Sequence, residues 1–284
     1  MSPIAAISHG GISNPFSLLS PAGLVGADEK TIILLAIGLM LIVVVPVIVM
    51  TFLFARRYRA SNARATYTPK WTSSRKIEVV VWLVPIVIVS VLSIVAWKTT
   101  HALSPYRPLA PAQQHLNVDV VAMNWKWLFI YPDQHIATVN QLVIPTGVPV
   151  SFRLTSDSVL ASFFIPRLGS QIYAMPGMQT KLHLVADRPG TFIGRNYQFS
   201  GAGYSWMQFK TVATSKKDFD QWVNEVKESG RRLDPATLKE LERPSVANPV
   251  AHYASVSPHL FAGVIHQVLA GNATSGNVQT ANGA

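Results

Sequence analysis

The chain has 284 residues, which is enough for a membrane anchor and one compact domain of ordinary size. Hydrophobic residues make up 49% and charged residues only 13%, whereas a typical soluble domain carries about a quarter charged residues. The formal net charge is +10, yet seven of the 24 basic residues lie between Arg56 and Lys76, and the rest is close to neutral. This distribution argues against a nucleic-acid surface, and the absence of cysteine excludes disulfides and thiolate metal sites.

The first 30 residues are predicted to form an extracytoplasmic segment. They lack a basic start and a continuous apolar core, and Gly10, Gly11 and Pro15 interrupt them. They therefore do not have the pattern of a cleavable signal peptide, and no cysteine is present to carry a lipid. We expect the first membrane helix, or a segment absent from this sequence, to direct export.

Two uncharged apolar runs follow, at residues 31–54 and 79–97. Each meets the requirement of about 20 residues for crossing a hydrocarbon layer about 30 Å thick, so residues 31–97 are predicted to be a transmembrane helical hairpin. The connecting loop, residues 55–77, is short and basic, and the positive-inside rule places it in the cytoplasm. Both termini are then predicted to lie outside.

Glu78 precedes the second apolar run and directly follows a basic pair, Arg75 and Lys76, and one apolar residue. In the simplest interpretation, its carboxylate complements the positive end of the helix dipole. Alternatively, a carboxylate at the cytoplasmic mouth of an intramembrane path collects protons. The residues alone leave both interpretations open.

Residues 98–214 change to short segments in which apolar and polar residues alternate, as at Leu116, Val118 and Val120. Proline–glycine pairs separate these segments, so the pattern predicts an all-β sandwich.

After Thr214 the apolar residues return at helical spacing. Residues 215–270 are therefore predicted to be a C-terminal extension of short helices, one of them opening with Asp234 and Pro235. The small and polar tail, 271–284, is predicted to be disordered.

Three motifs make the β-rich segment more specific: MNWKWLFIYP at 123–132, VLASFFIPRLGSQIYAMPGM at 159–178 and RPGTFIGRNYQFSGAGYSWM at 188–207. Together with the helix hairpin, they resemble subunit II of haem-copper respiratory oxidases, over roughly residues 20–270. The resemblance implies that the exported domain is a cupredoxin-like sandwich.

In the cytochrome c-oxidising branch of that family, this domain binds a dinuclear copper centre through a fixed pattern of His, Cys, Glu and Met. By this resemblance, the corresponding positions in the chain are Ala161, Asn196, Gln198, Ser200, Tyr204 and Met207. Only Met207 matches a ligand. Because a copper pair needs thiolate and imidazole ligands, we expect no metal and no other cofactor in this chain.

A chain that keeps these motifs but lacks the copper ligands is typical of the quinol-oxidising branch, the cytochrome bo/ba type. The chain also resembles that branch in NWKWLFIYP and WKTTHAL. The resemblance implies subunit 2 of a proton-pumping ubiquinol oxidase in the bacterial cytoplasmic (inner) membrane. The complex would oxidise ubiquinol and reduce oxygen to water. Haems and a single copper would belong to a large subunit I, with further small membrane subunits as partners. Neither cytochrome c nor nucleic acid is an expected partner.

The resemblance also bears on individual residues. The family has a Glu at the position of Glu78, associated with the entrance of a proton channel in the large subunit, which favours the proton-collecting interpretation. Trp125 and Trp127 occupy an aromatic motif that lies near electron entry in cytochrome c oxidases. Because no copper centre is expected next to these two residues, we expect them to have a packing role.

Two alternatives remain. A cytochrome c oxidase subunit II carries electrons through copper, and the missing ligands argue against it. A membrane-anchored cupredoxin-like binding or scaffold protein needs no oxidase partner. Co-purification with a haem-bearing membrane subunit would distinguish this last class from the oxidase subunits.

Overall fold

The computed structural model describes residues 17–62, 73–109 and 115–281, with side chains up to residue 270. Most of the predicted N-terminal segment and residues 63–72 of the predicted cytoplasmic loop therefore lie outside the described residues. The chain divides into two compact units. One is Glu29–Ser104, and the other joins Met1–Asp28 to Pro105–Ala284.

The smaller unit consists of two long helices, α1 (Leu24–Arg57) and α2 (Arg75–Ala102), although the first turn of α1 belongs to the larger unit. No residue of their most apolar stretches is buried within the chain, and both helices are long and apolar enough to cross a bilayer. They extend beyond the predicted 31–97 at both ends, because polar residues such as Asp28 and Lys98 continue a helix outside the hydrocarbon layer.

Between residues 115 and 214, the larger unit has ten strands. Together with one later strand, they form two sheets. These strands are β1 (Leu116–Met123), β2 (Lys126–Tyr131), β3 (Ile136–Val139), β4 (Gln141–Pro145), β5 (Val150–Ser156), β6 (Ala161–Ile165), β7 (Gly169–Ala174), β8 (Thr180–Leu184), β9 (Gly190–Asn196) and β10 (Gln208–Thr214). The C-terminal elements are α3 (Lys216–Glu228), β11 (Arg232–Leu233), α4 (Pro235–Leu241), β12 (Ala251–Tyr253), β13 (Ser255–Val256) and α5 (Leu260–Ala281).

The strands form a β-sandwich, hereafter the β-domain, and the predicted fold class is confirmed. The first sheet has the order β12–β3–β2–β1–β5–β8 and the second has the order β4–β10–β9–β6–β7. Alternating residues of both sheets point inward and form one apolar core. Trp127 is fully buried at its centre, with its ring 5.4 Å from that of Phe163 and 5.6 Å from that of Phe209.

A second apolar cluster lies on the outer face of the first sheet and is covered by the C-terminal arm, defined here as residues 231–270. The sheet contributes residues such as Val121 and Leu128, and the arm contributes Leu238, Phe261 and Val264.

The predicted C-terminal extension differs from the structure in two respects. The segment 215–270 contains three short strands beside its helices, and β12 joins the first sheet at the edge of β3. In addition, α5 continues to Ala281, into the segment 271–284 for which the sequence predicts disorder. These residues prolong a helix that already begins at Leu260, so they do not have to nucleate one. Residues 282–284 lie outside the described residues.

Candidate functional site

The positions that correspond to copper ligands gather at one end of the second sheet. Ala161 opens β6, Asn196 closes β9, and the loop from β9 to β10 carries the others. Antiparallel pairing of β6 with β9 sets Phe163 opposite Asn196, which brings the start of one strand to the end of the other.

Asn196 is buried and forms four side-chain hydrogen bonds. Its Oδ1 accepts the backbone N–H of Ser162 at 2.8 Å and that of Gln198 at 2.9 Å. Its Nδ2 donates to Oγ of Ser200 at 3.1 Å and to Sδ of Met207 at 3.3 Å. An amide offers two donors and a two-fold acceptor, so the hydrogen-bonding capacity of this side chain is fully used inside the protein.

The donor set at this end of the sheet does not fit a dinuclear copper centre. The crevice between Ala161, Ser200 and Met207 is too narrow to hold a water molecule. In the described part of the chain, no three His, Asp or Glu side chains lie close enough together to hold a metal ion. A thioether, an amide and a hydroxyl do not replace the thiolates and imidazoles that copper requires. We therefore assign no electron-transfer step to this site.

Trp125 closes the site from the side of β1 and β2. It adopts a left-handed backbone with a φ of 62°, and its indole N–H donates to the carbonyl of Ser200 at 2.8 Å. The ring lies directly on Gly203, where an added Cβ would be 2.2 Å from the indole. Trp125 thus packs onto the β9–β10 loop, as expected of a packing residue.

The β9–β10 loop also presents an apolar surface that the sequence reasoning missed. Tyr197, Phe199 and Trp206 are 50%, 73% and 55% exposed, and Val159 on the neighbouring loop is 48% exposed. We call these four residues the loop patch. The ring of Tyr204, at one of the former ligand positions, lies 5.9 Å from that of Phe199. The sequence shows that the segment is rich in aromatic residues but not which of them point outward.

Glu78 belongs to the other compact unit. It lies in the first turn of α2 and its side chain is exposed. Both interpretations of this residue fit that location, so its proton-collecting role stays a prediction.

Two family descriptions match the larger unit. "Cytochrome C oxidase subunit II, periplasmic domain" matches residues 131–214, which include β3 to β10. "COX Aromatic Rich Motif" matches residues 227–272, which contain the C-terminal arm.

Similar proteins cover most of the chain. "Cytochrome bo(3) ubiquinol oxidase subunit 2" of Pseudomonas putida is 55% identical over 246 residues, covering 87% of this chain and 78% of the relative. The protein of the same name from Pseudomonas aeruginosa is 52% identical over 249 residues, covering 88% of this chain and 75% of the relative. "Ubiquinol oxidase subunit 2" of Acetobacter aceti is 52% identical over 246 residues, covering 86% of this chain and 80% of the relative.

Solved structures include a similar domain. The periplasmic domain of subunit II of cytochrome oxidase (CoxB) of Bradyrhizobium japonicum matches with a TM-score of 0.39 and 22% identity, covering 40% of this chain and 94% of that one.

Proposed function

Because the chain belongs to the family of cytochrome bo(3) ubiquinol oxidase subunit 2, we propose that it is a non-redox subunit of a proton-pumping ubiquinol oxidase. The complex is an oxidoreductase, in which electrons from ubiquinol reduce oxygen to water. The observation that carries the non-redox role is the Asn196 network. Internal hydrogen bonds already occupy the position where a copper pair would need soft ligands.

The proposal includes a large subunit that binds the haems and the single copper, together with further small membrane subunits. The hairpin of α1 and α2 lies in the bacterial cytoplasmic membrane, with its basic loop in the cytoplasm and with both termini and the β-domain in the periplasm. The unburied apolar surfaces of the two helices support contact with lipid and with other membrane helices.

The loop patch supports a docking role for the β-domain. Isolated exposed apolar residues are common on soluble proteins, but several large ones on one loop favour an interaction surface. Three residues of the patch, Tyr197, Phe199 and Trp206, lie on the β9–β10 loop, which also carries four of the former ligand positions. In our proposal this surface rests on the outer face of the large subunit.

The experiment that tests the function is purification of the complex, with ubiquinol and cytochrome c compared as electron donors and with copper measured on the separated full-length chain. We expect reduction by ubiquinol, none by cytochrome c, and no stoichiometric copper on this chain. Two coppers bound per chain would contradict the proposal and favour a cytochrome c oxidase subunit. Purification without any haem-bearing partner would favour the scaffold alternative.

Glu78 is proposed to be the proton-entry carboxylate. Glu78→Ala should slow turnover severalfold without loss of assembly, less than the roughly hundredfold effect of removing a catalytic acid–base group, because the chemistry takes place elsewhere. Glu78→Asp keeps the carboxylate and should retain most of the turnover. Turnover is measured per haem in the purified complex, and an unchanged rate for Glu78→Ala in the assembled enzyme would exclude the role.

A further inference from the structure

The chain turns sharply where α1 ends. Asn62 closes this turn, because its N–H donates to the carbonyl of Arg59 at 2.8 Å and its Nδ2 donates to the carbonyl of Arg57 at 2.6 Å. The side-chain bond satisfies one of the carbonyls that the last turn of a helix leaves without a partner. The first residues of the basic loop are therefore held close to the helix end.

This turn borders an open recess of about 840 Å³, hereafter the arginine recess. Its lining includes two apolar residues, three arginines and one hydroxyl: Leu53, Phe54, Arg56, Arg57, Arg59 and Ser61. A volume of this size is in the range of small-molecule sites. The lining comes from one continuous segment, so the recess lies within a single compact unit.

The arginines of the recess have no acidic neighbour in the hairpin sequence. Neither Asp nor Glu occurs in residues 31–77. Within the described ranges, none of the three arginines forms an ion pair, and no carboxylate lines the recess. Three positive charges that share one recess repel each other, and an anion between them would relieve this repulsion.

The recess lies at the end of the membrane-spanning part of α1. The uncharged run ends at Phe54, and Arg56 follows two residues later, about 3 Å further along the helix. The headgroup layer is about 5–8 Å thick on each side of the hydrocarbon, so the arginines lie at the depth of the lipid phosphates. Leu53 and Phe54, which are 58% and 51% exposed, lie at the edge of the hydrocarbon.

A phospholipid matches both parts of the recess. A guanidinium fork donates two parallel hydrogen bonds to phosphate oxygens, and several arginines together favour a headgroup with a net negative charge. The Ser61 hydroxyl supplies a further donor. The exposed side chains of Leu53 and Phe54 suit contact with the first carbons of an acyl chain.

We propose that the arginine recess binds the phosphate of an anionic phospholipid, in the leaflet on the side of the basic loop. A topology signal needs only positive charge in this loop, whereas headgroup binding needs the arginines in one recess, so the two roles can be separated. The proposal depends on the membrane span of α1 and not on the oxidase assignment, so the two fail independently.

The test is lipid titration of the detergent-purified full-length chain, followed by native mass spectrometry. Phosphatidylglycerol should bind about thirtyfold more weakly to Arg56→Gln/Arg59→Gln than to the wild type, since each arginine near an anionic headgroup contributes about fivefold in affinity. In detergent, this measurement does not depend on the direction in which the chain is inserted into a membrane.

The matched control is Arg75→Gln/Lys76→Gln, which removes the same charge from the same loop at positions outside the recess. It should bind phosphatidylglycerol like the wild type. Equal weakening by the glutamine pair and by this control would overturn the proposal, because the charge of the whole loop would then attract the lipid. Arg56→Lys/Arg59→Lys keeps the charge without the guanidinium fork and should show an intermediate affinity even if the glutamine pair fails to fold.

Two further probes define the ligand. Diacylglycerol, which has no phosphate, should not distinguish the wild type from the glutamine pair, and inorganic phosphate should compete only weakly with phosphatidylglycerol. Equal phosphatidylglycerol binding by the wild type and both arginine variants would overturn the proposal, and so would inorganic phosphate that competes as well as the lipid. Loss of a co-purifying membrane subunit with unchanged lipid binding would also overturn it, because the arginines would then contact protein.

Discussion

Asn196 connects four neighbours through one amide group at the end of β9. Two of them are buried or half-buried backbone N–H groups, those of Ser162 and Gln198, and the other two are the side chains of Ser200 and Met207. A metal ion would tie together the same strand end and loop by coordination. The amide performs this structural task without any redox chemistry.

Replacing Asn196 with Ala should therefore destabilise the β-domain. Two backbone donors lose their acceptor, and an unsatisfied buried donor costs about 1–3 kcal/mol. Because the N–H of Gln198 is only half-buried, we expect a loss in the lower part of the summed range, about 2–4 kcal/mol. Chemical denaturation of the full-length chain in detergent, followed by tryptophan fluorescence, measures this change. Gln198→Ala is the control, because its backbone donor stays in place and its loss should be within about 0.5 kcal/mol. Equal stability of Asn196→Ala and the wild type would show that the network contributes nothing.

Asp157 makes stability depend on pH. Burial raises its pKa to about 7, and the nearby carboxylate of Glu242 adds to this, while the Ser158 hydroxyl and Lys126 oppose it. The folded pKa is above the ordinary value of about 3.9, so the folded state retains this proton between about pH 4 and pH 7. The stability that this group contributes is thus complete below pH 4 and is lost as the pH rises through 7.

Asp157→Asn should remove this dependence. Compared with the wild type, the variant should gain stability from pH 4 to pH 8, by at most about 4 kcal/mol, and the difference should level off above pH 7. Denaturation of both proteins at several pH values gives the difference directly and cancels the contribution of other titrating groups. A difference that does not change with pH would show that the carboxyl titrates normally.

These residue-level features were only partly predictable. The resemblance located Asn196 as a former ligand position, but its hydrogen bond to Ser162 depends on the register of β6 against β9, strands whose paired residues are more than 30 positions apart. The raised pKa of Asp157 likewise depends in part on a distant element, since the charge of Glu242 acts on it and Glu242 directly follows α4.

At the scale of elements, the C-terminal arm is attached to the β-domain by three kinds of contact. β12 pairs with the edge of β3, and α4 and α5 cover the outer face of the first sheet. The buried Lys126 donates from Nζ to the carbonyls of Leu241 at 2.7 Å and Arg243 at 2.8 Å, which satisfies the last turn of α4. The arm therefore covers apolar surface that the sheet would otherwise expose.

Phe261→Ala should loosen the arm. Phe261 is buried in the outer cluster and lies 5.5 Å below the guanidinium of Arg153, so its truncation should cost about 3 kcal/mol. Hydrogen exchange should become faster in α4 and α5 and stay unchanged in β6 and β9. Phe199→Ala, on the exposed loop patch, is the matched control and should leave exchange in the arm as in the wild type. Faster exchange throughout both sheets would mean that the arm and the β-domain unfold as one unit.

Local signals predicted α3 and α4, but not α5. Asp234 caps α4 through its side chain, which accepts the N–H of Thr237 at 2.8 Å, and Pro235 opens the helix as expected. Gly230 follows α3 with a φ of 69°, a conformation suited to glycine at a helix end. The strand β12 was not predicted, because its three residues gain their stability from pairing with β3, more than 100 residues earlier.

At the scale of the whole molecule, the sequence separates three physical environments. The uncharged runs of α1 and α2 suit hydrocarbon, the basic residues after α1 suit the cytoplasmic side, and the alternating strands form a domain with its own core. In the proposed topology, the β-domain and the basic loop are on opposite sides of the membrane. The direction in which the chain is inserted therefore decides on which side of the membrane each proposed contact lies.

The absence of cysteine makes this direction directly measurable. Ser61→Cys, in the basic loop, and Ser229→Cys, after α3, each introduce one exposed thiol. In cells with a permeabilised outer membrane, an impermeant maleimide should label Ser229→Cys at once and Ser61→Cys only after the inner membrane is opened. The positive-inside rule attributes this orientation to the basic residues of the loop. Replacing Arg56, Arg57 and Arg59 with Gln should therefore increase the fraction of chains in which Ser61→Cys is labelled. Labelling of Ser61→Cys in intact inner membranes of the otherwise unchanged chain would reverse the orientation and place the β-domain in the cytoplasm.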